Sequence, residues 1–227
     1  MKAALGPLVE SGRYSLELHK HRFTLAMVPE DEAFFFALRE PIERFVSGFN
    51  SRQRQGRPRH FRPWSEKEKA VFEHFGSANA LALALSSEDE GERARAEEAM
   101  RTIKHLRSVF RWIGDEESFA AREPRLLKVL FTDRLDEDFA DLVERLGLGS
   151  APPVLPHDPV RAHRAPEAHQ ALEEQATLNL RRWYSRDYAF WELCRKLEAE
   201  RRPGARPPPP DRVPPGRADG LAGPGGA

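Results

Sequence analysis

The amino-acid sequence predicts an α/β domain in which helices cover a small parallel sheet. Strand-like segments alternate along the chain with segments of helical periodicity, which is the pattern of this fold class. One strand-like run, residues 33–38, is continuously apolar, as expected of a parallel strand covered on both faces. The chain has 227 residues, 40% hydrophobic and 32% charged, so it has enough apolar material for a core.

Two helices and two strands are predicted in the first part of the chain. Residues 2–9 are typical of a short helix, and residues 14–21 alternate between apolar and polar types, as a strand does. Residues 33–38 predict a second strand. A helix over about 41–54 follows directly, because Pro41 suits a first helical turn and apolar residues recur at helical spacing.

Mainly helices are predicted in the rest of the chain. Ser65, with Glu68 three residues later, is a capping-box pattern that begins a helix ending near residue 75. Further helices are predicted over 79–85 and 89–106. Residues 126–131 predict a third strand, and a helix from Thr132 to about residue 146 follows it. The last predicted element is a long helix over about residues 167–201, either continuous or interrupted by a break.

The chain is expected to contain one domain and a tail. Residues 1–201 carry the predicted strands and helices. Residues 202–227 consist largely of proline, glycine and arginine, and this composition predicts disorder. A proline-rich loop over 151–166 is predicted inside the domain.

Composition argues against several classes of protein. No apolar run is long enough to cross a bilayer, and the first residues lack the pattern of a secretory signal. The expected location is therefore cytoplasmic, with peripheral membrane association as the alternative. The net charge is zero, which argues against a nucleic-acid partner. The single cysteine, Cys194, excludes an internal disulfide and is expected to pack in the core.

The strand at 33–38 and the following helix predict an anion-binding site. The strand delivers Arg39 to the carboxyl edge of the sheet, where open α/β sheets bind ligands, and the helix presents its amino end to the same place. Arg44 and Ser47, three residues apart, share one helical face. The alternative is structural: Arg39 and Arg44 would then form ion pairs with Glu40 and Glu43.

The run 39–47, Arg-Glu-Pro-Ile-Glu-Arg-Phe-Val-Ser, resembles the 3'-phosphate-binding segment of sulfotransferases that use 3'-phosphoadenosine 5'-phosphosulfate (PAPS). The resemblance implies a P-loop-NTPase-like fold and PAPS as co-substrate, with no metal. It implies that Arg39 and Ser47 hold the 3'-phosphate, with Arg44 also among the cofactor-binding residues. Glu40 replaces the family's usual Asp. Residues 179–188 look like the terminal helix of the bacterial and carbohydrate branch, so the similarity covers about residues 1–197.

The segment His19-Lys20-His21 resembles a His-x-His element of the uronyl 2-O-sulfotransferases. That resemblance implies that His21, or else His19, is the catalytic base that deprotonates an acceptor hydroxyl. Imidazole suits this task near neutral pH. The alternative is that both histidines are ordinary strand residues at the surface or at the edge of the core.

Arginines between residues 52 and 62 are expected to bind the acceptor, a carbohydrate or another hydroxyl-bearing molecule. Arg52, Arg54 and Arg57 are the leading candidates, because an acidic acceptor would be attracted to them. The competing explanation is that arginine is abundant throughout the chain. The oligomeric state is not predicted.

The family's Pro-Lys-x-Gly-x-Thr loop, which holds the 5'-phosphosulfate, does not occur in this sequence. Its absence favours a natural start codon further upstream, so that the amino-terminal strand and loop are missing here. The alternative is a catalytically inactive family member that binds a 3'-phosphonucleotide or an acidic partner. A P-loop kinase relative is a weaker third hypothesis, because no Walker lysine is evident.

Overall fold

The computed structural model describes residues 2–11, 15–19, 22–58, 60–148, 153–155 and 172–201, and it has α/β architecture. This part of the chain is mostly helical and contains a two-stranded parallel sheet. The predicted disordered tail, 202–227, and most of the predicted proline-rich loop lie outside the described residues.

The sheet pairs β1 (Phe34–Leu38) with β2 (Leu126–Phe131) in parallel. Leu38 lies opposite Phe131, so both strands end at the same edge. Every residue of β2 is buried except Leu127, which is half-buried. The strand is apolar apart from Lys128. Both strands were predicted within one residue of their observed limits.

The strand predicted over residues 14–21 is not formed in the part that the structure describes, residues 15–19. Leu16 and Leu18 nevertheless pack against a buried cluster, and Ser15 and Glu17 are exposed. The alternating pattern therefore identified correctly which side chains face the core. It could not show that another strand is available to accept the backbone hydrogen bonds, and without that partner no strand forms.

Ten α-helices occur among the described residues. Their limits are α1 Lys2–Glu10, α2 Pro41–Gln53, α3 Glu66–His74, α4 Ala78–Ala84, α5 Glu90–Thr102, α6 Phe110–Ile113, α7 Glu116–Arg122, α8 Leu135–Arg145, α9 Glu174–Trp183 and α10 Ser185–Glu200. Short 3₁₀ turns cover Leu25–Met27, Lys104–Leu106, Glu123–Arg125 and Thr132–Arg134.

Local capping explains several helix limits. The Ser65 hydroxyl accepts from the Glu68 N–H at 3.3 Å, and the Glu68 carboxylate accepts from the Ser65 N–H at 3.0 Å, so the predicted capping box is present. At the far end, Tyr184 interrupts the predicted long helix and separates α9 from α10. The sequence had not predicted α6 or α7.

Three buried clusters form the core. The largest joins α2, α3, α4, α5 and α9 around Phe45 and Phe49, which are 1% and 0% exposed. A second lies between the sheet and α10, and includes the fully buried Cys194. A third packs α1 and α8 on the other side of β2. Burial raises the pKa of the Cys194 thiol to about 12, in keeping with its predicted packing role.

A buried charged group links β2 to two helices. The Lys128 ammonium lies 3.0 Å from Asp138 Oδ1, 2.7 Å from Asp141 Oδ2 and 2.8 Å from Glu198 Oε2. Asp138 and Asp141 belong to α8, and Glu198 belongs to α10. We call Lys128 and these three carboxylates the Lys128 cluster. It fixes both helices against the strand.

None of the helices in the described part of the chain is both long and apolar enough to cross a lipid bilayer.

Candidate functional site

The carboxyl edge of the sheet brings together the ends of β1 and β2. Arg39 follows β1 directly, and Thr132 follows β2. The Arg39 Nε–H donates to Thr132 Oγ1 at 3.3 Å, and both side chains are half-buried. The prediction that Arg39 lies at this edge is therefore confirmed. Thr132 was not predicted, although parallel strands of this register necessarily place it beside Arg39.

The amino end of α2 already carries an anionic cap. Glu40 Oε2 accepts from the Glu43 N–H at 2.7 Å, and Glu40 Oε1 accepts from the Tyr188 hydroxyl. Pro41 supplies no donor at the first helical position. One of the helix's free N–H groups is thus occupied by Glu40, and an incoming anion would meet Arg39 and the remaining donors.

Carboxylates also lie close to Arg39. Partial desolvation, followed by repulsion from Glu40 and Asp133, raises the pKa of Glu43, although Arg39 and Arg195 act in the opposite direction. Asp133 itself pairs with Arg195. The site is therefore a mixed group of acids and bases rather than a purely cationic pocket.

Arg44 is engaged in internal contacts. Its Nη1 donates to the Arg107 carbonyl at 2.5 Å, its Nη2 lies 2.6 Å from Asp187 Oδ1, and its guanidinium lies 5.1 Å from the centre of the Tyr184 ring. Asp187 also accepts from Ser108 Oγ and from the Val109 N–H, both at 2.7 Å. The cofactor-binding role predicted for Arg44 stays a prediction, and it would compete with these contacts.

Ser47 lies one turn beyond Arg44 on α2 and is half-buried. Within the described ranges, its hydroxyl has no hydrogen bond to another side chain. Arg39 also forms no ion pair there, and neither Arg39 nor Arg44 pairs with Glu40 or Glu43. Arg44 does form an internal ion pair, but with Asp187 rather than with Glu40 or Glu43. Arg39 and Ser47 retain donors that a ligand could use.

The two segments that carry the resemblance contact each other directly. Residues 39–47 and residues 179–188 meet through Arg44 with Asp187 and Tyr184, and through Glu40 with Tyr188. The Tyr184 hydroxyl also donates to the Leu106 carbonyl. Sequence alone could not reveal this, because Arg44 and Asp187 are 143 residues apart.

Arg52, predicted to bind an acceptor, is buried. Its Nε lies 2.6 Å and its Nη2 2.9 Å from the two Glu68 carboxylate oxygens, and it also donates to the carbonyls of Arg62 and Pro63. Burial raises the pKa of Glu68, but hydrogen bonds from Arg52 and Ser65 outweigh this effect and lower it to about 2. These contacts join α2 to α3, and the acceptor role of Arg52 stays a prediction.

Arg54 and Arg57 line an open cavity of about 570 Å³ together with Gln53, Gln55, Pro58 and Trp64. The Arg57 guanidinium lies 4.7 Å from the centre of the Phe61 ring, and Phe61 is itself exposed. Gln55 and Gly56 turn the chain here with positive φ values of 56° and 80°. The cavity offers amide and guanidinium groups, which suits the hydrogen-bonding surface of a carbohydrate.

His19 is exposed, and its Nε2 lies 3.6 Å from Glu17 Oε2. Its ring stacks on Phe23 with 3.5 Å between the ring centres. His21, the first choice for the base, lies outside the described residues, and so its position relative to Arg39 is not defined.

Among the residues that the structure describes, no three His, Cys, Asp or Glu side chains converge in a way that could hold a metal ion.

No family model, no curated protein and no solved structure matches this chain.

Proposed function

We propose that this chain is a PAPS-dependent sulfotransferase domain of the P-loop-NTPase-like type, and that Arg39 and Ser47 bind the 3'-phosphate of the nucleotide. The single observation that carries the proposal is the position of Arg39. It lies at the carboxyl edge of a parallel sheet, beside the amino end of α2, and its only hydrogen-bond partner among the described residues is the neutral hydroxyl of Thr132. A guanidinium with free donors at such an edge is suited to a phosphate group.

Contacts behind this edge support the proposal. Arg44, Asp187 and Tyr184 hold the amino-terminal half of α2 against the start of α10. Tyr188 holds Glu40, the residue next to Arg39. These contacts fix the backbone next to Arg39 and leave the Arg39 side chain itself unused. A ligand would then meet an arginine whose position is set in advance, which lowers the entropic cost of binding.

In the proposed reaction, the oxygen of an acceptor hydroxyl forms a bond to the sulfur of PAPS. The bond between that sulfur and the bridging phosphate oxygen breaks, and adenosine 3',5'-bisphosphate leaves. His21, or else His19, takes the hydroxyl proton. The acceptor is a carbohydrate or another hydroxyl-bearing molecule, and the cavity lined by Arg54 and Arg57 is its proposed binding surface.

Isothermal titration calorimetry of the full chain tests the nucleotide site. Adenosine 3',5'-bisphosphate is expected to bind, and adenosine 5'-monophosphate, which lacks the 3'-phosphate, is expected to bind much more weakly. Arg39→Ala is expected to weaken bisphosphate binding about 10- to 100-fold, since a hydrogen bond to a charged group contributes about 1.5–3 kcal/mol.

Arg95→Ala is the matched control, because it removes an exposed arginine from α5. It should leave nucleotide affinity unchanged. The proposal fails if the wild-type chain binds neither nucleotide, if both nucleotides bind equally, or if the control loses as much affinity as Arg39→Ala. Far-UV circular dichroism verifies that each variant is folded.

A non-catalytic nucleotide binder is the competing function, and a transfer assay separates the two. The full chain is incubated with sulfur-labelled PAPS and a set of carbohydrate acceptors. Transfer that is lost in His21→Ala while bisphosphate binding persists supports the enzyme. Bisphosphate binding without transfer supports the binder if the codons upstream of Met1 encode no in-frame Pro-Lys-x-Gly-x-Thr loop. If they do encode one, the transfer assay is carried out on the chain extended to include it.

A further inference from the structure

Thr132 and Arg39 meet at the carboxyl edge of the sheet, and both retain hydrogen-bond donors. The Arg39 Nε–H donates to Thr132 Oγ1 at 3.3 Å. A hydroxyl that accepts one hydrogen bond still has its own proton to donate, and a guanidinium that gives one N–H retains its others. Within the described residues, neither side chain forms a second hydrogen bond or an ion pair. An O–H donor and several N–H donors therefore lie side by side at this edge.

A buried carboxylate fixes the chain on both sides of Thr132. Before it, the Phe131 N–H donates to Asp138 Oδ2 at 2.7 Å. After it, the Arg134 Nε–H donates to the same oxygen at 3.2 Å. Asp138 belongs to α8 and is 3% exposed. The position of Thr132 is thus set by its neighbours before any ligand arrives.

Asp133, the next residue, would repel an anion if its charge were uncompensated. Its Oδ2 accepts from Arg195 Nη2 on α10. The Arg195 guanidinium also lies 4.4 Å from the centre of the Phe131 ring and 4.7 Å from the centre of the Trp191 ring. These ring contacts hold Arg195 beside Asp133, where it offsets the charge of that carboxylate. The charged residues of the turn are therefore used internally, and Thr132 is left for the edge.

The contact with Arg39 also makes the Thr132 hydroxyl a better donor. Hydrogen bonds in a chain polarise one another, so a hydroxyl whose oxygen accepts from a cation gives its proton more readily to an anion. Both side chains are half-buried, which reduces the competition from water. A ligand oxygen bound by Arg39 would lie within reach of the Thr132 hydroxyl, because the two side chains already touch.

We propose that Thr132 is a further binding residue of this site and that its hydroxyl donates to the 3'-phosphate alongside Arg39. This inference rests on the proposed function, since it concerns the same nucleotide. It assigns to the end of β2 a role that the sequence motif at the end of β1 does not include.

Calorimetry of the full chain with adenosine 3',5'-bisphosphate tests the assignment. Thr132→Val replaces the hydroxyl with a methyl group of similar size. It is expected to weaken binding about 10-fold, equivalent to about 1.4 kcal/mol, which is the effect of losing one hydrogen bond to a charged group. Thr132→Ser keeps a hydroxyl and should bind within about threefold of the wild type.

A second pair of variants separates a direct contact from an effect through Arg39. Arg39→Lys keeps the positive charge but places a methylene group where the Nε–H donates to Thr132. If the Thr132 hydroxyl binds the phosphate itself, Thr132→Val should weaken binding again in the Arg39→Lys background. If Thr132 only holds Arg39 in place, Thr132→Val should have no further effect there.

Thr102→Val is the matched control. Thr102 is also half-buried, but it lies on α5 and its hydroxyl donates to the Glu98 carbonyl at 2.7 Å. Its replacement should leave nucleotide affinity unchanged. Far-UV circular dichroism verifies folding, and Thr132→Ala gives the same test if Thr132→Val does not fold.

The inference is overturned if Thr132→Val binds the bisphosphate as the wild type does while Arg39→Ala weakens binding. In that case the proposed nucleotide site survives and only the role of Thr132 is lost. Loss of the Thr132→Val effect in the Arg39→Lys background, or an equal effect of Thr102→Val, also overturns it. A wild-type chain that does not bind the bisphosphate refutes the proposed function and this inference together.

Discussion

The Lys128 cluster and the carboxyl edge of the sheet both combine basic and acidic side chains, but they differ in how deeply the charges are buried and how fully they are paired. In the Lys128 cluster the lysine, whose side chain is 5% exposed, lies within 3.0 Å of three carboxylates, and Arg134 and Arg145 also pair with them. At the edge, Arg39 also has acidic neighbours, yet it is half-exposed and bonds to a threonine hydroxyl. A buried charge must be paired, whereas an exposed one need not be. The first group is therefore structural, and only the second has donors left for a ligand.

The largest expected effect comes from breaking the Lys128 cluster. Lys128→Met removes the buried cation shared by the three carboxylates and leaves them only the more peripheral Arg134 and Arg145, so it is expected to lower the free energy of unfolding by about 3 kcal/mol. Urea denaturation followed by circular dichroism measures it. Lys196→Met is the matched control, because that lysine is exposed and its pairing with Glu200 at 3.9 Å contributes less than about 0.5 kcal/mol. Equal effects of the two substitutions would contradict the comparison.

A smaller effect is expected at Asp141, and it depends on pH. Burial raises the pKa of Asp141, but hydrogen bonds from Arg145 and Lys128 outweigh this effect and lower it below its usual 3.8. The resulting stabilisation is complete above pH 3.8 and is lost as the pH falls through the lower pKa of the folded state. Asp141→Asn should therefore cost about 1.5 kcal/mol at pH 7 and progressively less below pH 4.

Denaturant titrations of the wild type and Asp141→Asn between pH 7 and pH 3 measure this difference. A constant difference across that range would mean that the charge of Asp141 does not contribute to its stabilising contacts.

The smallest effect, of opposite sign, is expected at the edge. Desolvation and repulsion from Glu40 and Asp133 raise the pKa of Glu43 above 4.5. Its ionisation therefore costs stability as the pH rises through 4.5 and the higher pKa of the folded state, and the cost is absent at lower pH. Because Glu43 is exposed and solvent screens the repulsion, Glu43→Gln should stabilise the protein at pH 7 by no more than about 0.5 kcal/mol and have no such effect at pH 3. Thermal unfolding at both pH values measures it, and destabilisation at pH 7 would refute the assigned repulsion.

Much of the local structure could be predicted from the sequence. The apolar runs gave both strands, Pro41 marked the start of α2, and Ser65 with Glu68 marked the start of α3. The prediction failed over residues 15–19, where an alternating pattern packs against the core without pairing. Periodicity describes which side of a segment is buried, but a strand also requires a neighbouring strand.

The candidate site was predictable only in part. Arg39 follows from the end of β1, and Thr132 would have followed from the end of β2 once the two strands were paired. The ion pairs that Arg44 and Arg52 form inside the protein could not be predicted from the sequence. Both belong to arginine-containing motifs, yet their carboxylate partners come from other helices.

By itself, the sequence determined where β1, β2, α2 and α3 begin, because caps, prolines and apolar periodicity act through neighbouring backbone groups. It also determined that Arg39 directly follows the carboxyl end of β1. Only the tertiary structure decided which charged side chains are used internally, as Arg44 is with Asp187 and Lys128 is with Glu198, 143 and 70 residues away along the chain. The physical reason is that an ion pair forms only where packing brings two distant elements within a few ångströms and removes the water between them.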